Sequence, residues 1–440
     1  MAASIPRPRG ARDLFPEDLV LVRHLERVAR RIAEAAGCGE IRPPLFEDTR
    51  LFTRSLGETS DVVEKEMFTV PSRAESEAAD TLAPGYTFRP EGTAGVARAY
   101  VEGGFAQRDP LQKWFYIGPM FRYERPQKGR ERQFSQFGVE IFGAAGPLAD
   151  AEAVEIALRF FESLGFGSAL EVRVNSMGDP ADRDRWRDAL REFFRPQLAE
   201  RCAECRMRFE RNVFRLLDCK AEACKRLSAG APDLFAVMGA EALAHHHGFG
   251  EALRALGRAG REDRGIVRGL DYYTRTVFEI HYPPLGARSA LCGGGRYDGL
   301  VAAVGGPPTP AVGFAIGFTP TELALAELGL PPAADTADLA ATLVPEVWIV
   351  ALTDAERAPA LALAQSLRAQ ELRVALDLRG KSAKAQFKEA GRSGADIALT
   401  LGPDERTAGQ VVLKHLRTGA EERVAATGLA ERLRAALRSG

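Results

Sequence analysis

The stretch FRYERPQKGRERQFSQFGVEIFG, residues 121–143, restricts the possible folds of this chain more than any other. Just ahead of it, Trp114, Phe115, Tyr116 and Ile117 form an apolar run whose aromatic and β-branched side chains suit a buried, pleated surface. Arg125, Lys128, Arg130 and Arg132 follow, interrupted by Pro126 and Gly129, too polar and too broken for a core element. A second apolar-rich run then carries Phe134, Phe137, Val139, Ile141 and Phe142. The pattern predicts an antiparallel hairpin with a long basic tip. Because side chains alternate along a strand, Gln136, Gly138 and Glu140 share one face of the returning strand. An amide and a carboxylate side by side near several guanidinium groups suit a pocket for a charged small molecule. A solvated edge hairpin is the plainer alternative.

Two further stretches carry chemistry. YTFRPEGTAGV, 86–96, reads as a short strand entering a turn, where Glu91 and Thr93 flank Gly92 and let a ligand approach closely. A simple turn cap is the other reading. CGGGRYDGL, 292–300, lacks both the Gly-Lys-Ser/Thr ending of a phosphate loop and the spacing of a dinucleotide fingerprint. Its three glycines suit a base or sugar packed against a sheet.

The chain of 440 residues has room for two or three domains. A helix is predicted over 19–36, with Leu21, Leu25, Val28, Ile32 and Ala36 on one face, and Gly37 ends it. A helix at 151–164 and a strand at 170–174 precede a charged, helical segment over about 178–262, which interrupts a strand-rich pattern and reads as an insert. Within it Cys202, Cys205, Cys219 and Cys224 are spaced C-x2-C-x13-C-x4-C, either a tetrahedral zinc site or incidental reduced cysteines. His245, His246 and His247 point in different directions on a helix and read as a solvated face. A Pro/Ala-rich linker is predicted over 331–345. Beyond it strands at 347–352, 373–377 and 397–401 alternate with helices at 357–370 and 384–393, a parallel or mixed α/β unit. There Arg379, Lys381, Lys384 and Lys388 either meet phosphates or form a solvated face. The net charge of −1 gives no global basic field, so any nucleic-acid contact must come from local patches. No apolar run approaches the ~18 residues of a membrane span. A cytoplasmic protein with reduced thiols is expected.

The 121–143 hairpin resembles motif 2 of the class II aminoacyl-tRNA synthetases, in the form found in histidyl-tRNA synthetases. RPEGTAG at 89–95, VRGLDYYTRTVFE at 267–279 and CGGGRYDGLV at 292–301 match that family in the same order, and the similarity runs from about 8 to 416. RPRGARDLFP near the N-terminus resembles the family's RGxxDxxP arm, and EIRPPLFE at 40–47 resembles its motif 1, part of the dimer interface. By themselves Pro43 and Pro44 argue only for an edge or broken strand. The resemblance implies an α/β (α+β) architecture: a class II antiparallel-sheet catalytic domain over 1–330 carrying the helical insertion, and an anticodon-binding-like α/β domain over 346–440.

It also implies a homodimer that uses ATP and Mg2+ to activate histidine and charges tRNA(His), with no membrane role. In the roles implied, Arg122 and Arg268 hold the α-phosphate, Glu124 accepts from the adenine amino group, and Arg130 belongs to the ATP site. Glu140 and Tyr273 read the imidazole; Glu91, Gly92, Thr93 and Gln136 surround the ammonium; Tyr272 lines the same wall. Arg125, Lys128 and Arg132 face the tRNA acceptor end. One departure matters. The family's motif 3 reads G-x-E-R, its arginine clamping the γ-phosphate, whereas here Gly317 is followed by Phe318, Thr319 and Pro320. Thr319, Pro320 and Glu322 read instead as an N-cap, first helical residue and capping-box partner. Ser135, where the family usually has histidine, is a lesser one. The alternative to a working ligase is therefore a catalytically impaired histidine-binding paralogue with a regulatory or RNA-binding role. The retained C-terminal unit favours the ligase.

Overall fold

Alternation of apolar and polar side chains makes long strands of the two runs flanking the basic tip. In a computed structural model of the chain, which describes residues 4–57, 60, 62–71, 84–127, 129–217, 219–266, 272–329 and 334–438, they pair antiparallel from Gln112↔Phe142 to Phe121↔Gln133. In chain order the strands of this part are β1 (Gly39–Glu40), β2 (Phe46–Asp48), β3 (Phe68–Pro71), β4 (Pro84–Phe88), β5 (Gln112–Phe121), β6 (Gln133–Phe142), β7 (Glu171–Ser176), β8 (Arg261–Glu262), β9 (Thr274–His281), β10 (Ala290–Arg296) and β11 (Ala311–Gly317). Eight of them form one sheet in the order β1-β5-β6-β11-β10-β9-β7-β8. It is antiparallel except at its two edges, where β1 joins β5 and β8 joins β7 in parallel. β2, β4 and β3 make a small second sheet. Pro43 and Pro44 fall between β1 and β2, where a missing N–H breaks the strand.

One face of the large sheet is closed by the helix Pro147–Ser163, whose Phe160 packs on Phe137 of β6 at 5.5 Å between ring centroids. The other face carries Tyr100, Tyr116, Phe142, Tyr273 and Tyr297 in one apolar cluster with the helix Thr93–Glu102. Burial of aromatics at this density contributes on the order of 2 kcal/mol per side chain. The β9–β10 pairing shifts register between Gly295 and Arg296, opposite Arg275, whose φ of 46° is uncommon for a side-chain-bearing residue. An ion pair from Arg275 to Asp179 at 2.7 Å holds that kink.

The expected insert is helical, with helices Pro180–Phe194, Ala203–Arg211, Glu222–Ser228 and Ala240–Ala255. The reading of His245–His247 as a solvated face is corrected: His245 and His246 are buried and only His247 is exposed. His245 lies 3.3 Å from Asp150, itself fully buried and paired with the fully buried Arg296. That contact is long-range in sequence, so the charge pattern of the helix alone does not announce it. Despite burial, which works against ionisation, His245 and Arg296 hold the Asp150 carboxyl below its usual range.

Contacts divide the chain into two units, Met1–Asp13 with Leu25–Pro331, and Leu14–His24 with Pro332–Gly440. The N-terminal helix runs Pro16–Ala35 and buries Val22, Leu25, Val28, Ala29 and Ala33, a face turned slightly from the expected one. Within 331–345 a helix occupies Ala334–Ala341. The second unit builds a mixed sheet, with β12 (Val347–Ala351), β13 (Val374–Leu376), β14 (Ile397–Leu401), β15 (Gln410–His415) and β16 (Glu421–Ala425) in the order β13-β12-β14-β15-β16. β12, β13 and β14 are parallel; β15 and β16 continue antiparallel. Among the described residues, no helix is long and apolar enough to cross a membrane.

Candidate active site

The turn after β4 and the hairpin meet at their backbones. Phe121 N–H donates to the Arg89 carbonyl at 2.9 Å, and Arg122 Nε to the Pro90 carbonyl at 2.8 Å. Arg89, buried beneath them, donates to the carbonyls of Pro119 at 2.9 Å and Pro43 at 3.0 Å. The turn is thus fixed to the strand that carries the polar face.

That face is enclosed. Gln136 is 9% exposed and Glu140 is fully buried. Glu140 Oε1 accepts from the Thr93 hydroxyl at 2.7 Å, and Oε2 accepts from the Tyr297 hydroxyl. Burial pushes Glu140 up to about 8, although Tyr297 and Thr93 donate to its charged form and pull the other way. Glu91 accepts from the N–H groups of Thr93 at 2.6 Å and Ala94 at 2.9 Å, so it caps the helix Thr93–Glu102. Burial raises its pKa too, with those two N–H groups and the Arg122 charge opposing. The turn-cap and ligand readings of Glu91 are therefore compatible. Among the described residues, Gln136 Oε1 is buried without a hydrogen-bond partner, an orphan acceptor.

Glycines make this arrangement possible. A Cβ on Gly92 or Gly138 would lie 2.3 Å from the Tyr116 ring, and one on Gly313 would lie 1.9 Å from Glu140 Oε2. Gly313 pairs with Glu140 across β6 and β11, so the carboxylate sits over bare backbone. In the CGGG stretch, a Cβ on Gly294 would meet Phe278 and the Gly313 carbonyl at 2.5 Å, and one on Gly295 would meet Tyr273 at 2.9 Å. These glycines admit neighbouring protein groups, in place of the base or sugar expected from sequence.

The Tyr272 and Tyr273 rings lie 4.6 Å apart, tilted at 54°, with Tyr272 also 5.6 Å from Tyr297. Tyr297 lies in a stretch singled out from the sequence, yet its role was missed. The only signal available was an aromatic hydroxyl beside a glycine run.

Arg122 lies 3.8 Å from Glu124 and over the Phe134 ring at 5.5 Å. Glu124 pairs with Arg130 at 3.2 Å. Arg125 is exposed, whereas Arg132 stacks on Tyr123 at 3.9 Å and donates to the carbonyls of Glu124 and Arg9. Lys128 and Arg268 lie outside the described residues. Thus the fold brings together Glu91, Gly92, Thr93, Arg122, Gln136, Glu140, Tyr272 and Tyr273, and leaves Arg125 and Arg130 on the exposed tip.

The helix after β11 corrects the capping expectation. It runs Phe318–Leu328 with Gly317 as N-cap and no side-chain cap, so Thr319 and Glu322 form no capping box. Phe318 is 1% exposed, and burying it pulls the helix start forward. Pro320 then stands at the third helical position, where its missing N–H costs nothing because the first turn's donors have no intrahelical partner. Thr319 donates to Glu131 at 3.0 Å, and Glu322 pairs with Arg12 at 2.6 Å.

Known proteins share the sequence and the fold of this chain. A model of histidyl-tRNA synthetase matches residues 10–320, and one of an anticodon binding domain matches 346–436. A histidine–tRNA ligase of Desulforudis audaxviator is 44% identical over 98% of both chains. One of Acetivibrio thermocellus is 39% identical over 97% of this chain and 99% of its own. The crystal structure of apo Staphylococcus aureus histidyl-tRNA synthetase superposes with a TM-score of 0.77 at 33% identity, covering 98% of this chain and 100% of that one. From its four motif stretches, its enclosed polar face and these matches, the chain belongs to the histidyl-tRNA synthetase family.

Proposed function

We propose that this protein is a histidine–tRNA ligase, which joins histidine to ATP as histidyl-adenylate, releases pyrophosphate, and passes the histidyl group to the 3′ end of tRNA(His). The observation that carries the reading is the buried Gln136–Glu140 face beside Thr93 and Glu91, in a turn that Arg122 holds through the Pro90 carbonyl. A ligand with an imidazole at one end and an ammonium and carboxylate at the other fits this order of groups. Glu140 accepts from an imidazole N–H with lone pairs left over by Thr93 and Tyr297. Tyr297 orients Glu140, Tyr273 reads the other imidazole nitrogen, and Tyr272 closes the wall. Gln136 Oε1 and Glu91 receive the ammonium, with Thr93 beside them.

The histidine carboxylate then points toward Arg122, whose Nε is held by Pro90 while its terminal nitrogens remain to bind the α-phosphate. Arg268 takes the opposite side of that phosphate. The step needs positioning and charge neutralisation more than proton transfer. Glu124 and Arg130 receive the nucleotide. Magnesium would arrive on the ATP phosphates and neutralise their charge; Glu124, already paired with Arg122 and Arg130, is kept for the adenine amino group. Arg125, Lys128 and Arg132 serve the acceptor end of tRNA, and the second unit serves its anticodon. There Arg379 and Lys381 already pair with Glu389, which leaves Lys384 and Lys388 exposed for phosphate.

The protein acts in the cytoplasm as a homodimer. Leu45, Phe46, Val70 and Tyr86 are exposed on and beside the small sheet, an apolar surface that a second copy would cover. Sedimentation at micromolar concentration should give twice the chain mass; a stable monomer would refute the dimer.

Histidine-dependent ATP–pyrophosphate exchange tests the activity. Exchange is expected with the protein as it stands, since histidine and α-phosphate contacts do not involve Pro320. Pro320→Arg should lower the ATP KM roughly tenfold by adding a charge-assisted phosphate contact, with histidine affinity unchanged. Absence of exchange in both forms would favour a histidine-binding paralogue. An unaltered ATP KM would mean that another group already clamps the γ-phosphate.

A further inference from the structure

The insert contains a feature the ligase reaction does not use. Cys202 caps the helix Ala203–Arg211, Cys205 sits in its first turn, Cys219 follows a short turn of 3-10 helix at Val213–Leu216, and Cys224 lies in the helix Glu222–Ser228. Their four Sγ atoms all lie within 4.8 Å of one another, and those of Cys202 and Cys219 are 3.9 Å apart. Zinc bound to four thiolates at ~2.3 Å sets the sulfurs ~3.8 Å apart, so these atoms need to contract by about an ångström at most. None of the four is in a disulfide.

The surroundings are those of a closed thiolate site. Cys202 N–H donates to Cys224 Sγ at 3.4 Å and Cys205 N–H to Cys202 Sγ at 3.4 Å. Cys205, Cys219 and Cys224 sit in the insert's own core with Trp186, Leu190, Phe194, Phe209 and Leu216. Arg201, adjacent in sequence, is 1% exposed. Its guanidinium lies over Phe194 at 4.2 Å and donates to the Cys224 carbonyl and the Ser228 hydroxyl, while its Nε has no hydrogen-bond partner among the described residues. No carboxylate among the described residues pairs with it. A buried cation without a counter-charge is costly. Four thiolates around one divalent ion carry a net charge of −2, and they would supply what Arg201 lacks.

We propose that Cys202, Cys205, Cys219 and Cys224 hold a structural zinc ion that staples the two short helices of the insert into its core. Binding releases one proton from each thiol to solvent. All four positions are taken by sulfur, so no open position remains for a substrate and the role is architectural. A small helical insert gains from such a staple what its limited core cannot provide.

Full-length protein, purified without chelator and dialysed free of loose metal, should contain about one zinc per chain by elemental analysis. Cobalt exchanged into the site should show thiolate-to-metal charge-transfer absorption and the ligand-field bands of a tetrahedral ion. Cys205→Ser and Cys224→Ser should lose both signals. If those variants fail to fold, native thiol titration of the unmodified protein decides. Chelation should then expose four additional reactive thiols and lower the melting temperature. Folded protein with no zinc and no cobalt spectrum would overturn the proposal, as would disulfides among the four or bound iron. Pyrophosphate exchange measured on the same samples keeps failure of the ligase reading separate from the metal count.

Discussion

Replacing Arg122 by alanine is expected to lower kcat/KM for pyrophosphate exchange by ~10²–10³, the usual cost of removing one donor from a site that stabilises developing charge. Histidine affinity, measured by calorimetry without ATP, should change less than about tenfold, because Arg122 acts on the histidine carboxylate and on Glu91 through its field, while the imidazole and ammonium contacts stay in place. Arg122→Lys should recover little: an ammonium presents a point charge where a planar fork binds two phosphate oxygens. Nε of Arg122 also anchors the Pro90 carbonyl, so the melting temperature of both variants must be compared with the parent. If exchange survives alanine at near-parental rates, Arg122 does not hold the reacting phosphate.

Glu140→Gln should have two separable effects. The first is a loss of about 10–100-fold in histidine kcat/KM, since a hydrogen bond to a charged acceptor is worth ~1.5–3 kcal/mol. Discrimination against other amino acids should weaken with it. The second is on stability. The folded pKa of about 8 lies above the ordinary carboxylate value of 4.5, so between those pH values the native state binds more protons than the unfolded state. Stability from this group is therefore highest below ~4.5 and declines as pH rises toward ~8, by at most ~1.4 kcal/mol per pH unit. The glutamine variant escapes that penalty. Its melting temperature should exceed the parent's at pH 8, the difference closing as pH falls to 5. Unligated protein should release protons on binding histidine near pH 7, detectable in buffers of different ionisation enthalpy; the variant should not. Unchanged histidine parameters would remove Glu140 from the recognition site.

Much of the architecture was legible because it is written in local period. Apolar alternation over Phe134–Phe142 predicts both the hairpin and the shared face of Gln136 and Glu140, and the observed register keeps them together. Strand-helix alternation after 346 likewise predicts β12 to β14 within a residue or two at most boundaries. The hairpin β15–β16 went unpredicted, since such short strands carry little periodic signal. The helix Leu429–Arg438 went unpredicted too, although its buried Leu429, Leu433 and Ala436 recur at helical spacing. The capping motif at Thr319 failed for a different reason. Its local chemistry was sound, but burial of Phe318 overrode it.

The sequence by itself determined which side chains share a strand face, where helices interrupt the sheet, and that four cysteines recur at metal-binding intervals. Those properties depend on residues a few positions apart, and backbone geometry converts spacing directly into direction. Only the tertiary structure decided that Tyr297 donates to Glu140, that Gly313 leaves room for that carboxylate, and that His245 reaches Asp150 and Arg296. The order β6-β11-β10 sets the first two, and the packing of the insert's last helix on Pro147–Ser163 sets the third. Each joins groups far apart in the chain, whose meeting depends on strand order and register, and no local period encodes those.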